Sequence, residues 1–406
     1  MSISSSLETR LVASRTCTEL SLREQIEAEI REHGPIPFSR YMQLCLYDPD
    51  HGYYSANAEQ FGKTGDFYTS SDIHAVFGRL LARQLDEIWQ ALDRPPQIEI
   101  LELGPGRGLF ARDVLDWSNE KFPDFFAPLT YTLQESSPAL RIKLQETLAN
   151  HVANGKAVIS AESQEEVIGI QRRLPSDTPL IVFANEFFDA LPVEILSPQG
   201  KLHLALEKNR LREAWFPPLP EELEFLDRYG VHPEPGERIE VSLISQEWIK
   251  QISGAAVCGP LLVIVIDYGY TRREQLAGRH RGTLMAYRQH SAGSDPYEAP
   301  GEQDLTAHVN FTTLAAACEE AGMRREKLLT QAQFLMGIGE RNQFADAFED
   351  CRIPQEQAKV ALQLKHLIAP DGMGENFQVL MASRSVDPQK IAALSGLSFG
   401  STERPI

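Results

Sequence analysis

Glu102-Leu-Gly-Pro-Gly-Arg-Gly108 places three glycines at alternate positions directly after the alternating stretch Gln97-Ile-Glu-Ile-Leu-Glu-Leu103. Glycines in such a turn let a ligand approach backbone amides at the start of the next helix, because no Cβ stands in the way. The spacing is G-x-G-x-G, and Leu109 stands where a dinucleotide-binding G-x-G-x-x-G would have its third glycine. Glu102 at the strand tip would repel a pyrophosphate but would suit an ammonium group. S-adenosylmethionine carries an ammonium and a sulfonium and no phosphate. Glu102, Gly104, Gly106 and Gly108 are therefore expected to bind that cofactor, the alternatives being a nucleotide cofactor or a glycine turn with no ligand.

Two further stretches could complete such a site. Glu135 follows the apolar stretch Leu129 to Gln134, where a Rossmann-type site sets a carboxylate against ribose hydroxyls. Ser136 is grouped with it on the cofactor side, although an acid before Ser136-Ser137-Pro138 is also an ordinary helix cap. Ala184-Asn-Glu-Phe-Phe-Asp-Ala-Leu-Pro-Val193 ends another strand at the ligand-binding edge expected of an open α/β sheet. Methylases of amides and DNA amines often carry Asn-Pro-Pro-Tyr at this place. The acidic variant here points to a cationic acceptor, with Asn185 beside the cofactor and Glu186 and Asp189 gripping a guanidinium, joined by Asp66. The bland alternative is that Asp189 caps a helix and the phenylalanines fill the core. His308, in Asp304-Leu-Thr-Ala-His308, is a candidate base or orienting group, against a purely structural hydrogen-bonding role. No group basic enough to deprotonate a free guanidinium is visible, so rate would come mainly from alignment, and no metal is needed.

The elements that must position these residues read as alternating strands and helices, which implies a mostly parallel sheet with right-handed crossovers. Helical spacing from Leu20 to His33 and a second helix near Ser39 make an N-terminal annex, and a helix is expected from about Asp72 to Leu92. Core strands follow at Gln97 to Leu103, Leu129 to Gln134, Ala157 to Ser160, Leu180 to Ala184 and Leu261-Leu-Val-Ile-Val-Ile266, the last a run typical of a strand covered on both faces. A helix is expected at Phe311 to Glu320, a strand at Lys327 to Phe334, a helix at Ile353 to Ile368 and a closing strand at Gln378 to Ala382. The division is 1–93 annex and cofactor lid, 94–386 core with insertions at about 193–258 and 271–304, and 387–406 a weakly structured tail.

Composition bounds the function. The net charge of −18 is spread along the chain, which argues against a phosphate-backbone partner such as nucleic acid. No apolar run approaches the roughly 20 residues of a membrane-spanning helix, so membrane insertion is not expected. Cys17, Cys45, Cys258, Cys318 and Cys351 are odd in number and lie far apart, which suggests neither disulfides nor a zinc site. The first 20 residues have no apolar signal region, and a cytoplasmic location is expected.

Gly34-Pro35-Ile36, Tyr47-Asp-Pro49, Gly52-Tyr-Tyr54, Gly65-Asp-Phe67, the Glu102 to Gly108 loop, Ala184 to Val193, Ile266-Asp-Tyr-Gly269 and Asp304 to Val309 occur in one order over residues 25 to 385. Together they resemble the MidA family, which includes mitochondrial complex I assembly-factor methyltransferases. The resemblance implies a class I (Rossmann-like) methyltransferase core with a seven-stranded, mostly parallel sheet, and a second lobe built from the annex and insertions. It also implies that Gly65, Asp66, Phe67 and Thr69 fold over S-adenosylmethionine. Its mitochondrial branch carries protein-arginine methylation, so a protein substrate is expected, a respiratory-complex subunit being one candidate and a homodimer one candidate assembly. Here Ser70-Ser71-Asp72 replaces the family's Ala-Pro-Glu, and Gly104-Pro-Gly106 its more usual Gly-Ala-Gly. An assembly protein using the fold as a docking surface and a nicotinamide-dependent oxidoreductase are the competing functions.

Overall fold

Seven strands carry the core of the computed structural model, which describes residues 20–56, 75–160, 175, 177–256, 258–288, 291–293 and 295–399. They are β1 (Ile98–Leu103), β2 (Leu129–Gln134), β3 (Ala157–Ser160), β4 (Leu180–Asn185), β5 (Leu261–Tyr270), β6 (Arg324–Thr330) and β7 (Phe377–Arg384). Their order is β3-β2-β1-β4-β5-β7-β6, and a two-residue strand, Val309–Asn310, pairs with the end of β5. β1 to β5 are parallel neighbours, and β7 runs antiparallel between β5 and β6. Register aligns Leu103 with Gln134 and with Ala184, and Asn185 with Ile266. The carboxyl tips of β1, β2, β4 and β5 therefore meet at one edge of the sheet.

Both faces of the sheet are covered, which is why its central strands read as apolar runs. Because side chains alternate across a strand, Ile98 and Ile100 enter one core while Leu101 and Leu103 enter the other. The first core includes the helices Ala75–Ala91, Leu109–Lys121 and Gln331–Glu340; the second includes Leu243–Ala255 and Phe311–Glu320. No helix among the described residues is long and apolar enough to cross a membrane.

A second lobe combines chain segments far apart in sequence. Strands Glu194–Ser197, Gly200–Glu207, Arg210–Phe216 and Ile239–Val241 form a sheet that Ile36–Pro37 joins by pairing with His203 and Leu204. Leu22, Ile26 and Ile30 of the helix Leu22–His33 pack there with Phe38, Tyr41 and Met42 of Phe38–Tyr47. Lys201 lies buried between Glu194 and Glu222, with its ammonium 2.9 Å from the first and 2.5 Å from the second, so its charge is matched.

Two sequence expectations need correction. The strand expected over Lys327 to Phe334 ends at Thr330, whose hydroxyl accepts from the Gln333 amide while the Gln333 side chain accepts from the Thr330 amide. That reciprocal cap starts a helix, Gln331–Glu340, in the middle of the expected strand. Within the insertion at about 193–258, Arg210–Phe216 is followed by the helix Pro220–Tyr229. The C-terminal segment is docked over its described part, with Asp387 capping the helix Pro388–Ala392 and with Ile391, Leu394 and Leu397 buried.

Candidate active site

The glycine loop leaves β1 in a conformation that side chains disfavour. Gly104, Gly106 and Gly108 have φ of 63°, 54° and 74°. A Cβ on Gly104 would stand 2.9 Å from the Phe187 ring and one on Gly108 2.6 Å from Leu144 Cδ2, whereas one on Gly106 would meet nothing within 4 Å. Gly104 and Gly108 are thus glycine for packing, and Gly106 borders open space. Gly108 also begins the helix Leu109–Lys121 without any side-chain cap, leaving first-turn amides without a capping side chain.

Two carboxylates flank the loop. Glu102 is buried and accepts from the Tyr131 hydroxyl at 2.9 Å. Burial raises its pKa to about 8, a rise the Tyr131 hydrogen bond opposes and the charge of Glu135 adds to. A cation placed against Glu102 would draw that value down. Glu135 accepts from the Gly106 amide at 3.2 Å and from the Ser137 amide at 2.9 Å, so it ties the end of β2 to the glycine loop and also caps the chain beyond it. Its pKa is pushed up to about 7 by burial, against the pull of those donors. Ser136 is half-buried beside it, its carbonyl held by Arg141 at 2.7 Å. An open Gly106 face, an uncapped helix start and a buried carboxylate suit a ligand that carries both a cation and hydrogen-bond acceptors, as S-adenosylmethionine does.

The turn after β4 supplies the neighbouring wall. Glu186 sits at φ 50°, unusual for a residue with a side chain, and its amide donates to the Ile266 carbonyl at 2.9 Å. Asn185 Nδ2 donates to Glu186 at 3.2 Å, and its buried Oδ1 makes no hydrogen bond among the described residues. Phe187 stands over Gly104 and meets Trp248 edge-on, with ring centres 5.0 Å apart. Glu186 also lines a cleft of about 640 Å³, together with Tyr268, Tyr287, His308 and Phe377.

Asp189 does not line that cleft. It is buried, and its carboxylate accepts from the hydroxyl of Tyr268, which does line it. The sequence pairing of Glu186 with Asp189 as two jaws is therefore replaced by Glu186 in the wall and Asp189 supporting Tyr268. Burial raises the Asp189 pKa to about 6. His308 lines the cleft edge-on to Tyr268, with Nδ1 3.2 Å from Nδ1 of His280 and its own amide donating to Thr283 Oγ1 at 3.1 Å. Burial and then His280 lower its pKa to about 4, so His308 is neutral near pH 7. Gly65, Asp66, Phe67 and Thr69 lie outside the described residues.

Sequence reasoning missed Tyr131, Tyr287 and Asp267. Asp267, fully buried, accepts from the amides of Phe188 at 3.0 Å, Asp189 at 3.3 Å and Tyr268 at 2.9 Å. The available signal was an apolar strand breaking into Asp267-Tyr-Gly269 at the same edge as the glycine loop.

A family model described as "Putative S-adenosyl-L-methionine-dependent methyltransferase" matches residues 80–329. The chain is 32% identical over 320 residues to the mitochondrial protein arginine methyltransferase NDUFAF7 homolog of Drosophila melanogaster, covering 74% of this chain and 71% of that protein. It is 26% identical to the human mitochondrial protein arginine methyltransferase NDUFAF7, over 86% of this chain and 80% of that one. Among solved structures, a likely methyl transferase from Burkholderia thailandensis bound to S-adenosyl-homocysteine superposes with a TM-score of 0.76 at 27% identity, over 93% of this chain and 95% of that one. The names of the curated relatives overturn the cytoplasmic expectation, since these proteins are mitochondrial and the sequence offered only the lack of a signal region. With its core, its glycine loop and these relatives in agreement, the chain belongs to the S-adenosylmethionine-dependent methyltransferase family that the matching model describes.

Proposed function

We propose that this methyltransferase modifies arginine in a protein partner, with the cofactor on the Gly104 to Gly108 loop and the guanidinium against Glu186. The observation that carries the reading is the position of Glu186, which lines an aromatic cleft one residue beyond a strand whose tip is level with that of β1. The curated relatives named as protein arginine methyltransferases support the acceptor class. Glu102 and Glu135 would face the cofactor's ammonium and ribose, with Ser136 and Asn185 beside it. Gly65, Asp66, Phe67 and Thr69 are the further cofactor contacts that the resemblance implies.

When bound, the cofactor supplies a methyl group made electrophilic by its sulfonium. Glu186 would hold the guanidinium plane through charge-assisted hydrogen bonds and aim one nitrogen at that methyl. Tyr268, Tyr287 and Phe377 offer aromatic faces on which a flat guanidinium would stack. His308, neutral and bonded to His280, suits orientation better than proton abstraction, and the acceptor's proton can leave after transfer from a nitrogen already bearing the new bond. The test uses tritiated methyl donor with a cell extract as acceptor, a respiratory-complex subunit being the first purified protein to try. After acid hydrolysis, label is expected in methylated arginine; label confined to another residue overturns the acceptor assignment.

A further inference from the structure

We infer that Asp267 is a positioning residue for methyl transfer, which sets the turn carrying Glu186 at its working distance from the glycine loop. The inference rests on the acceptor side of the site being the Glu186 turn, as proposed above. Asp267 lies in β5 one residue past its last pair with β4, directly across from Gln378 of β7, and has no exposed surface. One carboxylate oxygen receives the amides of Phe188 and Asp189 and the other receives that of Tyr268. The near end of the same turn is fixed to the same strand by the Glu186 amide on the Ile266 carbonyl. Both ends of the turn are thus fastened to β5 at Ile266 and Asp267, where its pairing with β4 stops.

What this turn holds explains why its placement matters. Its Glu186 and the adjoining Tyr268 line the acceptor cleft, and its Phe187 ring covers Gly104 of the cofactor loop. A shift of the turn would therefore move an acceptor-facing carboxylate and the roof of the cofactor loop together. Glu186 is held at a φ of 50°, a conformation that persists only where surrounding bonds over-determine it. Burial, and after it the neighbouring charges of Asp189 and Glu186, push the Asp267 pKa well up, so the buried carboxylate is costly unless the amides repay it. No ion pair to Asp267 exists among the described residues, so the three amides are what this carboxylate serves.

Asp267→Asn keeps the size and one acceptor oxygen but turns the other end into a donor facing amides. In the full-length chain, hydrogen exchange is expected to speed up at residues 187–189 and not across β1 to β4. Affinity for S-adenosylhomocysteine should stay within about threefold. The rate of tritium transfer into the extract at saturating donor should fall roughly 100-fold, since an ångström of misplacement can cost that much. Asp267→Glu, which keeps a carboxylate acceptor on a side chain one methylene longer, should recover part of the local protection and part of the rate. Transfer within threefold of wild type in Asp267→Asn would overturn the inference. So would a loss of rate matched by faster exchange throughout the sheet, which would make Asp267 merely structural. Should the label reside in a residue other than arginine, the proposed acceptor fails while the rate comparison still decides the role of Asp267.

Discussion

Glu186→Gln is expected to lower methyl transfer roughly 100-fold while leaving S-adenosylmethionine affinity within about threefold, because it removes a charge from the acceptor wall and little from the cofactor loop. The substitution is nearly isosteric and keeps the hydrogen bond from Asn185 available, so the turn should hold its shape. A guanidinium bound to a neutral amide loses its charge-assisted pair and much of the constraint on its plane. The decrease should appear in kcat as well as KM, since orientation is worth most in the transition state. Initial rates of tritium transfer over a range of acceptor concentrations at saturating donor, set beside calorimetric binding of S-adenosylmethionine, separate the two effects. Unchanged turnover would remove Glu186 from the acceptor wall; lost cofactor affinity would place it in the cofactor site.

Gly106→Leu is expected to weaken S-adenosylmethionine binding more than 100-fold, and Gly155→Leu hardly at all. Both glycines have positive φ, 54° and 69°, and at both a Cβ would meet nothing within 4 Å. Each substitution therefore carries a similar left-handed backbone cost, about 1–2 kcal/mol, and little steric cost in the free protein. They differ in what the open space is for. Gly155 lies in the turn before β3, whereas the Gly106 amide is held by Glu135 in the loop read as the cofactor cradle. Similar falls in Tm with divergent calorimetric affinities would support the cradle. Equal affinities in the two variants would show that the space at Gly106 is ordinary solvent.

How much of this was legible depended on how local the physics is. β4 and β5 are covered on both faces and are legible as continuous apolar runs, β1 as an alternating stretch that runs into glycine, and the loop by its glycine spacing. Arg210–Phe216 is hard to read from sequence because none of its residues is fully buried and they form no clean alternation. The helix after Thr330 was legible in principle from the Thr330/Gln333 pair but was hidden by the apolar stretch around it. Glu102, Glu135 and Glu186 stand at strand ends, where their place in the sequence puts them. Asp189 was read as a second jaw because proximity in sequence says nothing about facing, and its bond to Tyr268 spans 79 positions. Asp267 and the His280–His308 contact are equally non-local, made only when the tip of β5 meets the turn after β4 and the second insertion.

A crystal structure of the full chain with S-adenosylhomocysteine tests the central claim most directly. The predicted result is the ligand along Gly104 to Gly108, its amino group near Glu102, its ribose near Glu135, and its sulfur facing the cleft lined by Glu186 and Tyr268. A ligand seated away from Gly106, or a sulfur facing away from Glu186, would contradict it.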